Sequence, residues 1–472
     1  MEIDINKEIL SIHNMCKNKF KVFNKYITHI RFPLFKNIKS NTQIDFDFPI
    51  TALVGPNGSG KTSVLNALYG APYKYSTGDF WFSTKVDPIK EGEGSPNRFI
   101  YGHFNESFGD IVETRKARVQ KKRENRPDPN YWEPTKETSG DGMNIYPEEF
   151  KKKYSGRSLD RWNPVKRKVI YINFRSELSA FDKYFYFGHD PAIDVKKRKE
   201  KAENTGHKIP NFRYINKKEK IRGDSRKLFQ IIESRNTSLK RFGERIAKEN
   251  RLLSREELKY ISYVLNRHYV EARWIKHNLF QGHDGISIIF KTSHVEYSEA
   301  FAGSGEVAIA SCIVNIINAP KNSLVLLDEP EVSLHPGAQE RLLGFLAKMV
   351  KEKTIQIVFS THSPNLISYL PENAIKSFYQ LPNGDFGITP NSHPYAAFRR
   401  LGDIKRGKIL VLVEDRLAKY VVEQAIILMA DSALQEIFEV EYMQGGAECI
   451  LTKRIPIFSD ENRKNTLGPV ST

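Results

Sequence analysis

The chain has 472 residues, 40% of them hydrophobic and 27% charged, and a formal net charge of +17. That length allows two or three domains with sizeable cores, and no apolar run reaches the roughly 20 residues a membrane-spanning helix needs, so no membrane role is expected. The first twenty residues lack the apolar centre of a signal peptide. Cys16, Cys312 and Cys449 lie far apart in no metal-ligand spacing, which points to a reduced, cytoplasmic setting.

In chain order, residues 26–54 alternate apolar and polar side chains in two stretches and predict a β-hairpin leading into a buried strand, Ile50 to Val54. A Gly-rich turn and a helix, "KTSVLNALYG", follow. Residues 71–224 read as a basic, aromatic insert with short strands at Phe99–Asn105, Ile111–Ala117 and Val169–Phe174. Its Lys/Arg clusters fall at 115–123, 151–153, 166–168, 196–201 and 217–220. Solvated loops explain any one cluster; together they predict a phosphate-facing surface, because cations gain affinity by releasing counterions from nucleic acid. Residues 225–284 have apolar side chains at three- and four-residue spacing and predict a helical arm, with "SREE" (254–257) as a capping box. A second α/β region spans 285–400, opening on the strand-like "GISIIFK". Residues 401–472 contain "KILVLVEDRLAKY" (408–420), read as a buried strand ending in Glu414 and Asp415.

Four motifs carry chemistry. "GPNGSGKT" (55–62) fits G-x-x-x-x-G-K-[ST] between a predicted strand and helix. Gly55, Gly58 and Gly60 let the backbone turn its N–H groups toward phosphate oxygens, with Pro56, Asn57, Ser59 and Ser63 completing the loop. Lys61 offers a point charge to the β- and γ-phosphates, and the Thr62 hydroxyl a ligand to Mg²⁺. "LVLLDEPE" (324–331) is a strand delivering Asp328 to the same ion and Glu329 to an attacking water. "AGSGE" (302–306) opens a helix about twenty residues earlier, and "FSTHSP" (359–364) offers His362 to the γ-phosphate.

In this order the motifs resemble ABC-type ATPase heads. The "SGE" form and "DEPEVSLHP" look closest to the AAA_21/AAA_15-like heads of the OLD (overcoming lysogenization defect) family, relatives of RecF and SMC-type heads. The resemblance covers residues 26–70 and 285–370. It implies an α/β fold: an ABC-type P-loop ATPase head with a mixed sheet and helical insert, followed by a partial Toprim-like α/β domain. It also implies ATP and Mg²⁺ as cofactors, Glu329 and His362 as catalytic residues, and a homodimer or higher homo-oligomer in which Ser304, Gly305 and Glu306 act in trans as the signature. The signature departs from the commoner L-S-G-G-Q, and no Q-loop glutamine is assigned.

The stretch from 407 resembles the first strand and helix of a Toprim nuclease domain, with Glu414 as a candidate metal ligand and "FEVEYMQGGAECI" (438–450) as the next strand, Gly445 and Gly446 at its end. Asp415 and Ala418 stand where that family has Gly and an acidic residue, and its paired-aspartate motif is missing; Asp460 and Glu461 read as a loop. A partial Toprim is therefore expected, with a plain α/β cap or a site completed by another chain as alternatives, and endonuclease activity left open. OLD-like proteins act in antiphage defence, including Gabija-like and retron-associated systems. The resemblance thus implies a defence effector that engages nucleic acid (DNA first, RNA or an RNA–DNA hybrid otherwise) and works beside partner proteins such as a reverse transcriptase. A non-enzymatic ATP-dependent sensor or scaffold, and a RecF-like DNA repair ATPase, are the other readings.

Overall fold

The hairpin predicted at the start of the chain forms: Ile27–Leu34 pairs antiparallel with Thr42–Asp45, Ile30 opposite Ile44. The computed structural model describes residues 2–92, 94–119, 131–209, 211–241, 244–280, 284–394, 397, 409–429, 435, 437–442 and 446–451. The fold is α/β with mixed sheets and helices, divided into two units. One comprises Met1–Tyr26 and Lys166–Phe359, the other Ile27–Val165 and Ser360–Thr472.

In the second of these, five antiparallel strands run in the order Thr42–Asp45, Ile27–Leu34, Arg98–Asn105, Asp110–Val119, Tyr131–Thr135. Phe35 packs its ring against Phe32, Phe99 and Trp132 at centroid distances of 5.3, 5.8 and 5.7 Å. This sheet corrects one expectation. The basic cluster beginning at Arg115 faces inward rather than toward a ligand. Arg115 Nε donates to Asp141 at 2.8 Å, Arg118 Nη1 to Glu91 at 2.5 Å, and Lys116 is buried, its ammonium pushed down to about 8 by desolvation. The cause is pairing on both edges, to Arg98–Asn105 and to Tyr131–Thr135, which draws Asp110–Val119 into the sheet. Residues 120–123 of the cluster lie outside the described residues.

The fully buried strand Ile50–Val54 runs parallel to Ile375–Gln380, which pairs antiparallel with Phe386–Thr389. Ile409–Val413 pairs in parallel with Phe438–Tyr442, with the helix Arg416–Ile427 between them in the chain. The burial expected of Ile409–Val413 is not met among the described residues: Ile409 is 38% exposed, the helix buries no residue, and the two described strands offer too little area to cover a face. The strand expected over 438–450 ends at Tyr442, and Gly446–Cys449 is helical. Gly445, Asp460 and Glu461 lie outside the described residues.

In the first unit, Leu324–Asp328 runs parallel to Val169–Asn173, in a register that sets Asp328 beside Asn173. The helical arm is corrected here. Lys217–Ser234 and Arg255–Leu265 are helices, and the capping box forms, Glu257 N–H donating to Ser254 Oγ at 3.2 Å and Ser254 N–H to Glu257 Oε2 at 2.6 Å. Glu244–Leu252 and Glu271–His277, however, are strands of a five-stranded antiparallel sheet with Leu239–Arg241, Gly285–Lys291 and Glu296–Ser298. Glu, Lys and Arg give these segments a helical bias, which seven paired positions between Glu271–His277 and Gly285–Lys291 override. Ala247 and Ile275 from these strands join Tyr184, Leu228 and Ile231 in one core.

That sheet holds a buried polar chain. Leu279 N–H donates to His277 Nδ1 at 3.1 Å, so Nε2 carries the proton and donates to Ser287 Oγ at 2.8 Å; the Ser287 hydroxyl donates to Glu299. Burial pushes the Glu299 carboxyl up to about 7 and holds the His277 imidazole down at about 4. A carboxyl whose folded value is raised binds its proton more tightly than in the unfolded chain, so its contribution is full at or below the ordinary carboxyl range and falls as pH rises through about 7. Thermal unfolding between pH 5 and 8 is expected to show wild type losing stability relative to Glu299→Gln, by on the order of 3 kcal/mol.

Candidate nucleotide site

The P-loop residues Gly55, Pro56, Asn57, Gly58, Ser59, Gly60, Lys61, Thr62 and Ser63 run from the end of Ile50–Val54 into the helix Lys61–Gly70. Gly58 and Gly60 take φ of +77° and +92°, a region that costs any residue with a Cβ, and this bend turns the chain into the helix. Gly60 caps the helix without a side-chain bond. Lys61 Nζ is buried and donates to the Gly55 and Pro56 carbonyls at 2.8 and 2.9 Å. The Ser59 hydroxyl is buried with no hydrogen-bond partner among the described residues. An uncapped helix start, a buried ammonium and an orphaned hydroxyl in one loop fit a polyphosphate.

In the other unit, Asp328 ends its strand nearly buried, with Tyr171 Oη at 3.3 Å and Asn173 Nδ2 at 3.4 Å from its Oδ2. Burial first, and the Asp328 charge second, push the Tyr171 phenol up. Glu329 turns the chain at φ +52°, and its carboxylate is held by Arg175, Nε to Oε2 at 2.5 Å with Nη2 on Oε1. Arg175, Tyr171 and Asn173 are the neighbours that sequence reasoning missed; the one available signal was a polar Asn173 and a cation closing a predicted strand.

Ser304 opens the helix Ser304–Ile317 and is exposed. Gly305 is buried because the chain at Ser333 crosses it: a Cβ there would lie 2.5 Å from the Ser333 carbonyl oxygen. Glu306 is committed within its own chain. Its Oε1 accepts from Tyr269 Oη, Tyr297 Oη (2.8 Å) and Arg267 Nη1 (3.0 Å), and its Oε2 from Gly303 N–H (2.9 Å). His362 follows the strand Gln356–Thr361 and is half-buried, in the unit that contains the P-loop.

Glu414 is exposed at the end of Ile409–Val413, and Asp415 caps the next helix, accepting from Ala418 N–H at 2.7 Å. Among the described residues no group of three or more His, Cys, Asp or Glu is placed to hold a metal, and no helix is long and apolar enough to cross a membrane.

A strand–P-loop–helix with a second strand ending in Asp-Glu defines a P-loop ATPase domain of the AAA/ABC type. The AAA_21 family model, described as "AAA domain, putative AbiEii toxin, Type IV TA system", matches residues 50–368, and the chain belongs to that family. It is similar to the uncharacterized protein MJECL11 of Methanocaldococcus jannaschii, 39% identical over 56 residues, or 12% of this chain and 49% of that protein. The chain thus spans about half the length of that curated relative. Among solved structures it is similar to the SMC head domain from Thermotoga maritima (16% identity, 78% of this chain and 99% of that one, TM-score 0.35). It is also similar to the Smc head domain with an extended coiled coil bound to the C-terminal domain of ScpA from Pyrococcus furiosus (17% identity, 80% and 99%, TM-score 0.40).

Replacing Gly305 by Ala drives a methyl into the backbone at Ser333, and a loss of roughly 1–3 kcal/mol is expected in denaturant unfolding. Ser304→Ala, on the exposed first turn, is expected to stay within about 0.5 kcal/mol of wild type.

Proposed function

We propose that the chain is an ABC-type ATPase that hydrolyses ATP with Mg²⁺ and couples this to engagement of nucleic acid. The observation that carries the reading is the P-loop itself, with buried Lys61 and the orphaned Ser59 hydroxyl beside an uncapped helix start. In this reading the loop N–H groups and Lys61 hold the phosphates, Thr62 and Asp328 hold the ion, Glu329 orients and deprotonates water, and His362 contacts the γ-phosphate. Bound Mg²⁺ supplies neutralisation of the charge that builds on the phosphoryl oxygens. Ser304 and the Gly305 N–H act on nucleotide held by a second copy, so the working form is a homodimer or larger.

The nucleic-acid part is supported by what remains exposed. Residues 180–235 hold fifteen Lys and Arg against eight Asp and Glu, a local excess of positive charge that favours a polyanion over a protein partner. Phe185, Tyr186 and Phe187 are exposed large aromatics at the end of the helix Ala180–Phe187. Phe181 and Phe185, stacked at 5.6 Å, line a groove with Ile221, Lys217, Lys218 and Arg222. Rings beside cations are how single strands are held without sequence preference. An OLD-like defence role, with a reverse transcriptase or similar protein as partner, rests on the sequence resemblance alone. A non-catalytic ATP-dependent sensor is the second reading, favoured by the engagement of Glu329 by Arg175.

Turnover assays are expected to show Lys61→Ala losing ATP binding, and Glu329→Gln losing about 100-fold or more in kcat while still binding ATP. Negligible wild-type turnover unchanged by Glu329→Gln would select the sensor. In oligonucleotide titrations, Phe185→Ala/Tyr186→Ala/Phe187→Ala is expected to weaken single-strand binding at least tenfold without changing its salt dependence. Lys217→Ala/Lys218→Ala/Arg222→Ala is expected to flatten the log K against log salt slope by about 2.

A further inference from the structure

The loop after Val169–Asn173 presents a cation that none of the nucleotide motifs accounts for. Arg175 Nε donates to Glu329 Oε2 at 2.5 Å and Nη2 donates to Oε1, so one guanidinium fork takes both carboxylate oxygens. The loop is fixed around it. Phe174 N–H donates to the Asp328 carbonyl at 3.1 Å, Arg175 N–H to Asn173 Oδ1 at 3.0 Å, and the Ser311 hydroxyl to Glu177 at 2.7 Å. Glu329 itself sits at φ +52°, a conformation that a residue with a Cβ keeps only where its surroundings impose it.

We propose that Arg175 is a positioning residue of the ATPase: it holds Glu329 with both oxygens engaged and withholds the inward lone pairs from water, so that opening of this pair limits turnover. The proposal rests on the reading of Glu329 as the residue that deprotonates water. That task needs a carboxylate oxygen with a lone pair directed at the water. In the fork, the lone pair of each oxygen on the side facing the other is directed at Arg175, and only the outward pair of each oxygen is left for water. The side-chain exposures decide between a gate and a strut. Arg175 is 62% exposed and Glu329 14%, whereas the pair Arg157–Glu137 is 0% and 3% exposed and is built as a strut. An ion pair with its cation in solvent is cheap to exchange for other partners, and a buried one is not.

The test is made on the full chain with two readouts. In steady-state ATP turnover, Arg175→Ala is expected to raise kcat at least threefold with KM for ATP within twofold of wild type. Arg175→Lys, which keeps the charge but not the planar fork, is expected to fall between them. In nucleotide-free protein carrying ¹⁵N-arginine, one slowly exchanging Nε–H resonance should vanish in Arg175→Lys and lose its protection in Glu329→Gln. A kcat in Arg175→Ala that is unchanged or lower, while Glu329→Gln is inactive, overturns the proposal. So does an Arg175 resonance indifferent to Glu329→Gln. Wild-type turnover that survives Glu329→Gln removes the role of Glu329 itself, and the proposal falls with it; the resonance then still reports whether the pair forms.

Discussion

The guanidinium of Arg167 is wholly buried and is met by oxygens that carry no formal charge. Nε donates to the Asn322 carbonyl at 2.6 Å, Nη1 to the Lys25 carbonyl and to Gln356 Oε1, and Nη2 to the Ser323 carbonyl at 3.0 Å. A cation out of water is tolerable only when its donors are satisfied, and burial here pulls its pKa down to about 9. Its acceptors lie at the entry to Leu324–Asp328 and to Gln356–Thr361, and Arg167 itself stands two residues before Val169–Asn173. One group therefore fixes where these strands begin. Five residues further on, Asp328 and Asn173 emerge side by side, and a slip of one residue would turn Asp328 to the opposite face. The geometry around Glu329 depends on a contact about 16 Å away, at roughly 3.3 Å per strand residue.

Much of the positive charge is used in this way. Arg31, Arg98, Arg115, Arg118 and Arg157 pair with Glu113, Asp141, Glu91 and Glu137 inside one unit. Arg31 and His29 together hold the Glu113 carboxyl down at about 2 against the upward push of burial. The net charge of +17 thus mixes two populations: cations spent on the fold, among them the guanidiniums that tie loops to a sheet and Lys220 and Lys227 on Asp224, and exposed lysines such as Lys196, Lys197, Lys199, Lys201, Lys208 and Lys218. The second population bears on a polyanion; the first bears on the fold.

The parts of the site that are contiguous in the chain were legible from the sequence. A Gly-Lys-Thr turn between a run of five buried residues and a helix leaves the backbone few choices, and the hairpin, the Asp328 strand and the Ser254 capping box are equally local. What was not legible depends on pairing between distant segments. Residues 244–252 carry helix-favouring side chains and become a strand because Glu271–His277 and Leu239–Arg241 flank them. Lys116 reads as surface charge until Arg98–Asn105 and Tyr131–Thr135 enclose its strand. Arg175 and Glu329 are 154 positions apart, and only the parallel register of their strands brings them together.

The hydrogen bonds of Lys61 to Gly55 and Pro56 have an entropic consequence. With its ammonium held by the loop's own carbonyls, the P-loop is organised before any ligand arrives. An anion drawn to the ammonium competes with those two carbonyls, an exchange on a side chain already held in place, which costs less conformational entropy than ordering a free one.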